Sequence, residues 1–288
     1  MVSAIASATV GLSDAELASY RRDGLIVPSR RRLSTARLAA MRESLEKLMC
    51  DNASIAPESL VCPHIPYGPT HDAKAAAKWF DFASDPAILD LVGQLIGPDI
   101  ILWGSQVFCK PALTGKAIPW HQDGQYWPIR PLATCSVWIA LDDATPENGC
   151  MRFIPGSHAG ASVFRHRTSE RNDIVLNQEV EPALFDESTA RDDVLEAGQF
   201  SLHDVYLIHG SNANRSPNRR AAFVIRYMPA SSTFKRHAGD THRQAEVSFS
   251  MSKRPIWLLR GCDRGGNDFS IGHGEDYQLA ARVSDETQ

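Results

Sequence analysis

"GQFSLHDVYLIHGSNANRSPNRRAAFVIRYMP", residues 198–229, decides the fold class. Two apolar segments rich in β-formers flank a run of Gly, Ser, Asn and Pro, the pattern of strand, turn and strand. His209 closes the first segment and Arg220 opens the second. An antiparallel hairpin would carry Arg220 back beside His209. A guanidinium in that position suits bidentate recognition of a carboxylate.

Outward from this stretch the texture repeats. "DIILWGSQVFCK" (99–110), "TCSVWIAL" (134–141) and "CMRFIP" (150–155) read as further short strands between Gly, Pro, Asn and Asp. Such spacing predicts an antiparallel sandwich or barrel. Asn148–Gly149 reads as a turn between two of these strands. The polar segment 166–194 is a long insert, of a kind that often serves as a lid.

The first hundred residues read differently. Ser13 with Glu16 forms a capping box, and Gly24 stops the helix it begins. Ser34 caps a second helix in which Leu38, Met41, Leu45 and Leu48 recur at helical spacing. Residues 55–75 read as a long loop. Asp85–Pro86 opens a third helix that runs through Ile96 and stops at Gly97–Pro98. Helices first and strands after predict an α+β fold, with helices packed on one side of a β-sandwich.

The chain has 288 residues, 43% of them hydrophobic, and a net charge of −4. That length suits one domain spanning 1–288, stable without disulfides or structural metal. Its helical part covers about 12–98, its β core about 99–229 and a C-terminal extension about 230–288. The acidic balance argues against a nucleic-acid partner. Arg30–Arg31–Arg32 reads as a solvated loop. The six cysteines form no CxxC pair, which excludes a zinc-thiolate or redox motif of that kind and fits reduced, buried thiols. No window approaches the roughly 18 uninterrupted apolar residues of a membrane span, and the N-terminus lacks the basic start of a signal peptide. The expectation is a cytoplasmic protein with no membrane partner and an open oligomeric state.

"AIPWHQDGQYWPI" (117–129) carries the candidate chemistry. On a strand, residues i and i+2 share a face, so His121 and Asp123 project together and Gln122 turns away. An imidazole and a carboxylate so placed are two of the three ligands of a 2-His-1-carboxylate triad for non-haem Fe(II). The third ligand would be a histidine from elsewhere in the chain.

"WHQDG" (120–124), "VWIALDDATPENGCMRFIPGSH" (137–158) and "HGSNANRSPNRR" (209–220) together resemble the phytanoyl-CoA dioxygenase family of Fe(II)- and 2-oxoglutarate-dependent oxygenases. "YRRDGLIV" (20–27) and "LIGPDIILW" (95–103) resemble its N-terminal half, so the likeness spans roughly 12–229. "RPIWLLRGCDRGGNDFS" (254–270) resembles only a subset of the family and receives no role. The resemblance implies a double-stranded β-helix, a cupin-like jelly roll. It implies His121, Asp123 and His209 as iron ligands and Arg220 as partner of the far carboxylate of 2-oxoglutarate. His203 competes for the third position, but the family spacing of eleven residues from histidine to arginine selects His209. His203–Asp204 then reads as a structural or supporting pair.

The cofactors implied are Fe(II), 2-oxoglutarate as cosubstrate and O2, with succinate and CO2 as products. Asp123 stands where related halogenases carry a small residue, which favours oxygenation or desaturation over halogenation. Gln106, Thr134, Trp138 and Ser211 lie on motif strands as further candidate contacts to 2-oxoglutarate. Tyr126 and Trp127, with His64 and Tyr67 of the N-terminal loop, are candidate substrate contacts. The substrate expected is a small metabolite, most simply hydroxylated at an aliphatic C–H in natural-product biosynthesis. Desaturation, epoxidation or rearrangement at the same iron is the alternative. A zinc hydrolase would have no use for Arg220, nor would a jelly-roll binding protein use both triad and arginine.

Overall fold

A computed structural model describes residues 11–65, 77–236, 242–244, 247–249, 251–252 and 254–271. Tyr67 lies outside these residues. Helix α1 (Asp14–Asp23) starts at Ser13, whose hydroxyl accepts from the Glu16 N–H while the Glu16 carboxylate accepts from Ser13 N–H. Gly24 ends it with φ +82°, a left-handed conformation that needs no Cβ. Ser34 caps α2 (Thr35–Asp51). A short α3 (Lys78–Ala83) has no cap residue at its start and escapes sequence reading. Asp85 caps α4 (Pro86–Ile96), which stops at Gly97.

In chain order the strands are β1 (Leu25–Ile26), β2 (Leu60–Val61), β3 (Ile100–Lys110), β4 (Ile118–His121), β5 (Ile129–Arg130), β6 (Cys135–Ala140), β7 (Met151–Phe153), β8 (His166–Thr168), β9 (Gln178–Val180), β10 (Arg191–Asp193), β11 (Phe200–Asp204), β12 (His209–Ser211), β13 (Arg220–Pro229), β14 (Thr233–Phe234), β15 (His242–Gln244), β16 (Val247–Phe249) and β17 (Trp257–Arg260). A seven-stranded antiparallel sheet runs β1-β11-β6-β13-β3-β17, with β2 also on β3. A four-stranded antiparallel sheet runs β10-β7-β12-β4.

The large sheet is buried on both faces, which explains why its strands read as near-continuous apolar runs. Val137, Ile139, Phe223 and Ile225 pack with Met41, Leu45, Trp79 and Leu91 of the helices. The alternate residues Trp138, Ala140, Ala222 and Val224 pack with Met151 and Phe153 of the small sheet. This two-sided alternation gives the jelly roll with helices on one side, as expected for α+β.

Two expectations need correction. The loop read over 55–75 contains β2, which pairs with β3 at Gln106 and Val107. His209 and Arg220 are also not hairpin neighbours. His209 pairs with His121 and Phe153 in the small sheet, whereas Arg220 pairs with Lys110 in the large one. The connection crosses from sheet to sheet. Asn214 pins it by donating to the carbonyls of Pro111 (2.9 Å) and Asn218 (2.8 Å). Histidine and arginine therefore face one cavity from opposite walls.

Among the described residues no helix is long and apolar enough to cross a membrane. Cys62, Cys109, Cys135 and Cys150 are buried free thiols, while Cys50 and Cys262 are exposed.

Candidate metal and cosubstrate site

His121 is the last residue of β4, and Asp123 opens a single 3-10 turn, Asp123–Gln125. His209 is the first residue of β12, directly across from His121. One ligand atom from each of the three lies within 4.8 Å of the others, and all three side chains are buried. Their chemistry fits a divalent metal. His121 Nδ1 sits 2.9 Å from the Pro119 carbonyl and His209 Nδ1 3.0 Å from the Leu207 carbonyl. Each ring thus carries its proton on Nδ1 and keeps an Nε2 lone pair for a metal. His166 shows the contrast: its Nδ1 bonds to the Phe164 carbonyl, but its Nε2 accepts from the Gln122 N–H. Gln122 does turn away, donating to the carbonyls of Ser162 (3.0 Å) and Tyr206 (2.6 Å).

Burial alone would raise the Asp123 carboxyl. The His121 and His203 rings beside it, with the Arg226 charge, override this and hold the group well below its ordinary range. Burial, with the His121 ring beside it, pushes His209 down to about 3. The unfolded chain takes a proton on this imidazole near pH 6.5, and the folded chain refuses it until about pH 3. The metal-free protein is therefore expected to lose stability as pH falls below 6.5, by up to about 1.4 kcal/mol per pH unit from this group. Denaturant titrations at pH 7 and pH 5 check this, and equal stability at both would contradict it.

The three residues line one cavity with Gln106, Tyr126, Trp127, Trp138, Ser211 and Arg220. Arg220 is 1% exposed. Its Nη2 donates to the Gly149 carbonyl at 2.9 Å, and its Cζ lies 5.2 Å from the Trp138 ring. Burial lowers its pKa to about 10, which leaves it charged at neutral pH. Ser211 Oγ is buried without a hydrogen-bond partner. Tyr126 stands 6.3 Å from the His121 ring, and Trp127 stacks edge-on to Trp103 at 4.5 Å.

Gly149 holds the Arg220 acceptor in place. Its φ is +76°, and a Cβ there would collide with the Asn212 carbonyl. Gly149→Ala is expected to cost at least about 1–2 kcal/mol of stability and to weaken any ligand held by Arg220. Denaturant midpoint and ligand affinity check both effects.

Two candidates fall elsewhere. Thr134 is buried just before β6 but does not line the cavity. His64 is fully buried behind the wall, with Nδ1 2.6 Å from Ser105 Oγ and its ring against Trp257; packing, not closure over the site, describes it. The His203–Asp204 pair read from sequence is divided: His203 faces inward, Nε2 3.8 Å from Asp123 Oδ2, while Asp204 accepts from the Tyr206 N–H. Sequence reasoning missed other wall residues. Arg226 reaches the cavity from β13, a placement signalled by its even spacing from Arg220. Leu176 comes from the insert, and Met251 and Arg254 from the C-terminal extension. No local pattern announces these three.

The family described as phytanoyl-CoA dioxygenase (PhyH) matches residues 20–222. A probable phytanoyl-CoA dioxygenase of Caenorhabditis elegans is 33% identical over 54% of this chain and 54% of its own. An L-proline trans-4-hydroxylase of Streptomyces griseoviridis is 31% identical over 51% of this chain and 62% of its own. The chain thus spans about half the length of the curated relatives it matches. Among solved structures, the apo non-heme monooxygenase ThoJ superposes with a TM-score of 0.68 at 27% identity over 94% of each chain. The match covers β4, β12 and the start of β13, the elements that bring His121, Asp123, His209 and Arg220 to one cavity, and on this basis the chain belongs to the phytanoyl-CoA dioxygenase family.

Proposed function

We propose that this protein is an Fe(II)- and 2-oxoglutarate-dependent oxygenase acting on an aliphatic C–H of a small organic molecule. One observation carries the reading: two histidines with Nε2 presented and one carboxylate share a buried cavity with a charged, buried arginine. His121, Asp123 and His209 hold the metal. Hard carboxylate with borderline imidazole suits Fe(II), and three protein ligands leave positions for cosubstrate and O2. The iron supplies oxidation of the substrate coupled to conversion of 2-oxoglutarate to succinate and CO2.

The chain's own residues bind and orient. Arg220 takes the far carboxylate of 2-oxoglutarate, its guanidinium set by the Gly149 carbonyl and the Trp138 face. Gln106 and Ser211 stand in the same cavity to hydrogen-bond the cosubstrate. His203 holds the second oxygen of Asp123. Trp127, Tyr126 and Leu176 form an apolar wall that excludes water from the reacting carbon. Hydroxylation is the specific assignment, supported by the hydroxylase and monooxygenase this chain is similar to, and natural-product biosynthesis is the setting proposed for it.

Protein reconstituted with Fe(II) under nitrogen and then given 2-oxoglutarate and air should release succinate slowly alone and faster with a substrate. Failure to bind Fe(II), together with no 2-oxoglutarate turnover, would overturn the reading.

A further inference from the structure

Six residues beyond Arg220, β13 carries a second inward arginine. The only register shift on this strand falls after Arg226, so the two keep the same face. Arg226 lines the cavity and is 8% exposed. Nε is unpartnered in both arginines, but Arg220 donates Nη2 to the Gly149 carbonyl, whereas among the described residues Arg226 has no hydrogen-bond acceptor. Its Cζ lies over the rings of Trp127 at 5.3 Å and Phe108 at 6.0 Å. Burial lowers its proton affinity, the Asp123 charge opposes this, and the neighbouring Arg254 adds to it. A buried guanidinium so placed is costly to the fold unless an anion completes it. In the oxygenase reading 2-oxoglutarate engages Arg220 and the metal, and Asp123 is a metal ligand. Among the described residues no carboxylate forms an ion pair with Arg226, and the Asp123 charge felt there is shared with the metal.

We propose that Arg226 receives a carboxylate of the substrate, so that the molecule oxidised is an organic acid, an inference that rests on the oxygenase function proposed above. The acid end pairs with Arg226, and the hydrocarbon body lies against Trp127, Tyr126 and Met251, beside the His–Asp–His cluster. The geometry favours a carboxylate over a phosphate. Aromatic rings cover the guanidinium, leaving its N–H edge, which matches a planar two-oxygen group.

Trp127 stands close enough for its fluorescence to report occupancy. The probes are 3-phenylpropanoate, octanoate, their primary amides and 3-phenylpropyl phosphate, titrated under nitrogen into protein loaded with Fe(II) and saturating 2-oxoglutarate. The expected result is a carboxylate that binds at least about tenfold more tightly than its amide, from the hydrogen bonds of a charged pair. Arg226→Gln should erase that preference and Arg226→Lys retain part of it, in variants that still load with Fe(II) and with 2-oxoglutarate affinity unchanged by calorimetry. No preference in the wild type, or one that survives Arg226→Gln, overturns the proposal. Weakened 2-oxoglutarate binding in both variants would give Arg226 to the cosubstrate, and a carboxylate preference that survives in variant protein still loaded with Fe(II) would leave Arg226 as a support for Asp123 alone; either overturns it. Tighter binding of the phosphate overturns the carboxylate assignment. Should wild type bind neither Fe(II) nor 2-oxoglutarate, the oxygenase reading fails, and the same titrations on metal-free protein still decide the anion site.

Discussion

Asp123→Ala is expected to give a folded protein that retains no Fe(II) and consumes no 2-oxoglutarate. Asp123 is the one carboxylate of the three-residue cluster and sits 3.7 Å from His121 and 3.8 Å from His203. Removing it leaves two neutral imidazoles, which hold Fe(II) weakly without an anionic ligand. Losing a mere outer-shell partner of a metal ligand costs 10–100-fold in affinity; loss of the ligand itself should exceed about 100-fold. The variant should lose some stability, because the folded chain holds this carboxylate ionised and Arg226 loses its charge, but a core of this size should keep it folded. Calorimetric titration with Fe(II) and circular dichroism separate the two outcomes. Undiminished iron affinity in a folded variant would remove Asp123 from the site.

Arg220→Ala is expected to act on the cosubstrate and not on the metal. A charge-assisted bidentate pair to a buried carboxylate is worth about 2–5 kcal/mol on truncation, so the Kd for 2-oxoglutarate should rise at least about 30-fold. Iron affinity should hold, since Arg220 comes from the opposite sheet to His121 and His209. Arg220→Lys should fall between, keeping a charge but losing the planar fork. An unchanged Kd in Arg220→Ala would mean that another group, Arg226 foremost, anchors the cosubstrate.

Much of this was legible in the sequence because it is local. The Ser13–Glu16 box, the Ser34 and Asp85 caps and the stops at Gly24 and Gly97 are decided within a few residues; α1 and α4 begin and end there, and α2 begins there. The β-forming runs over 100–110, 135–140 and 220–229 announced strands, though not their sheets. Sheet membership is a long-range property, and the hairpin reading of His209 and Arg220 failed for that reason. Both residues still reached one cavity because a jelly roll faces its two sheets inward. His121 and Asp123 met as expected, though Asp123 sits in a 3-10 turn after the strand rather than on it. Wall residues contributed by distant segments, such as Leu176 and Met251, carry no signal beyond being apolar.

The central claim is that His121, Asp123 and His209 form an iron site. Anomalous diffraction at the iron edge, from crystals grown anaerobically with Fe(II) and 2-oxoglutarate, tests it most directly. The account predicts one peak at about 2.0–2.2 Å, the usual metal–nitrogen and metal–oxygen range, from His121 Nε2, His209 Nε2 and an Asp123 oxygen. A peak bound by His203 in place of His209, or no peak within reach of the three, would contradict it.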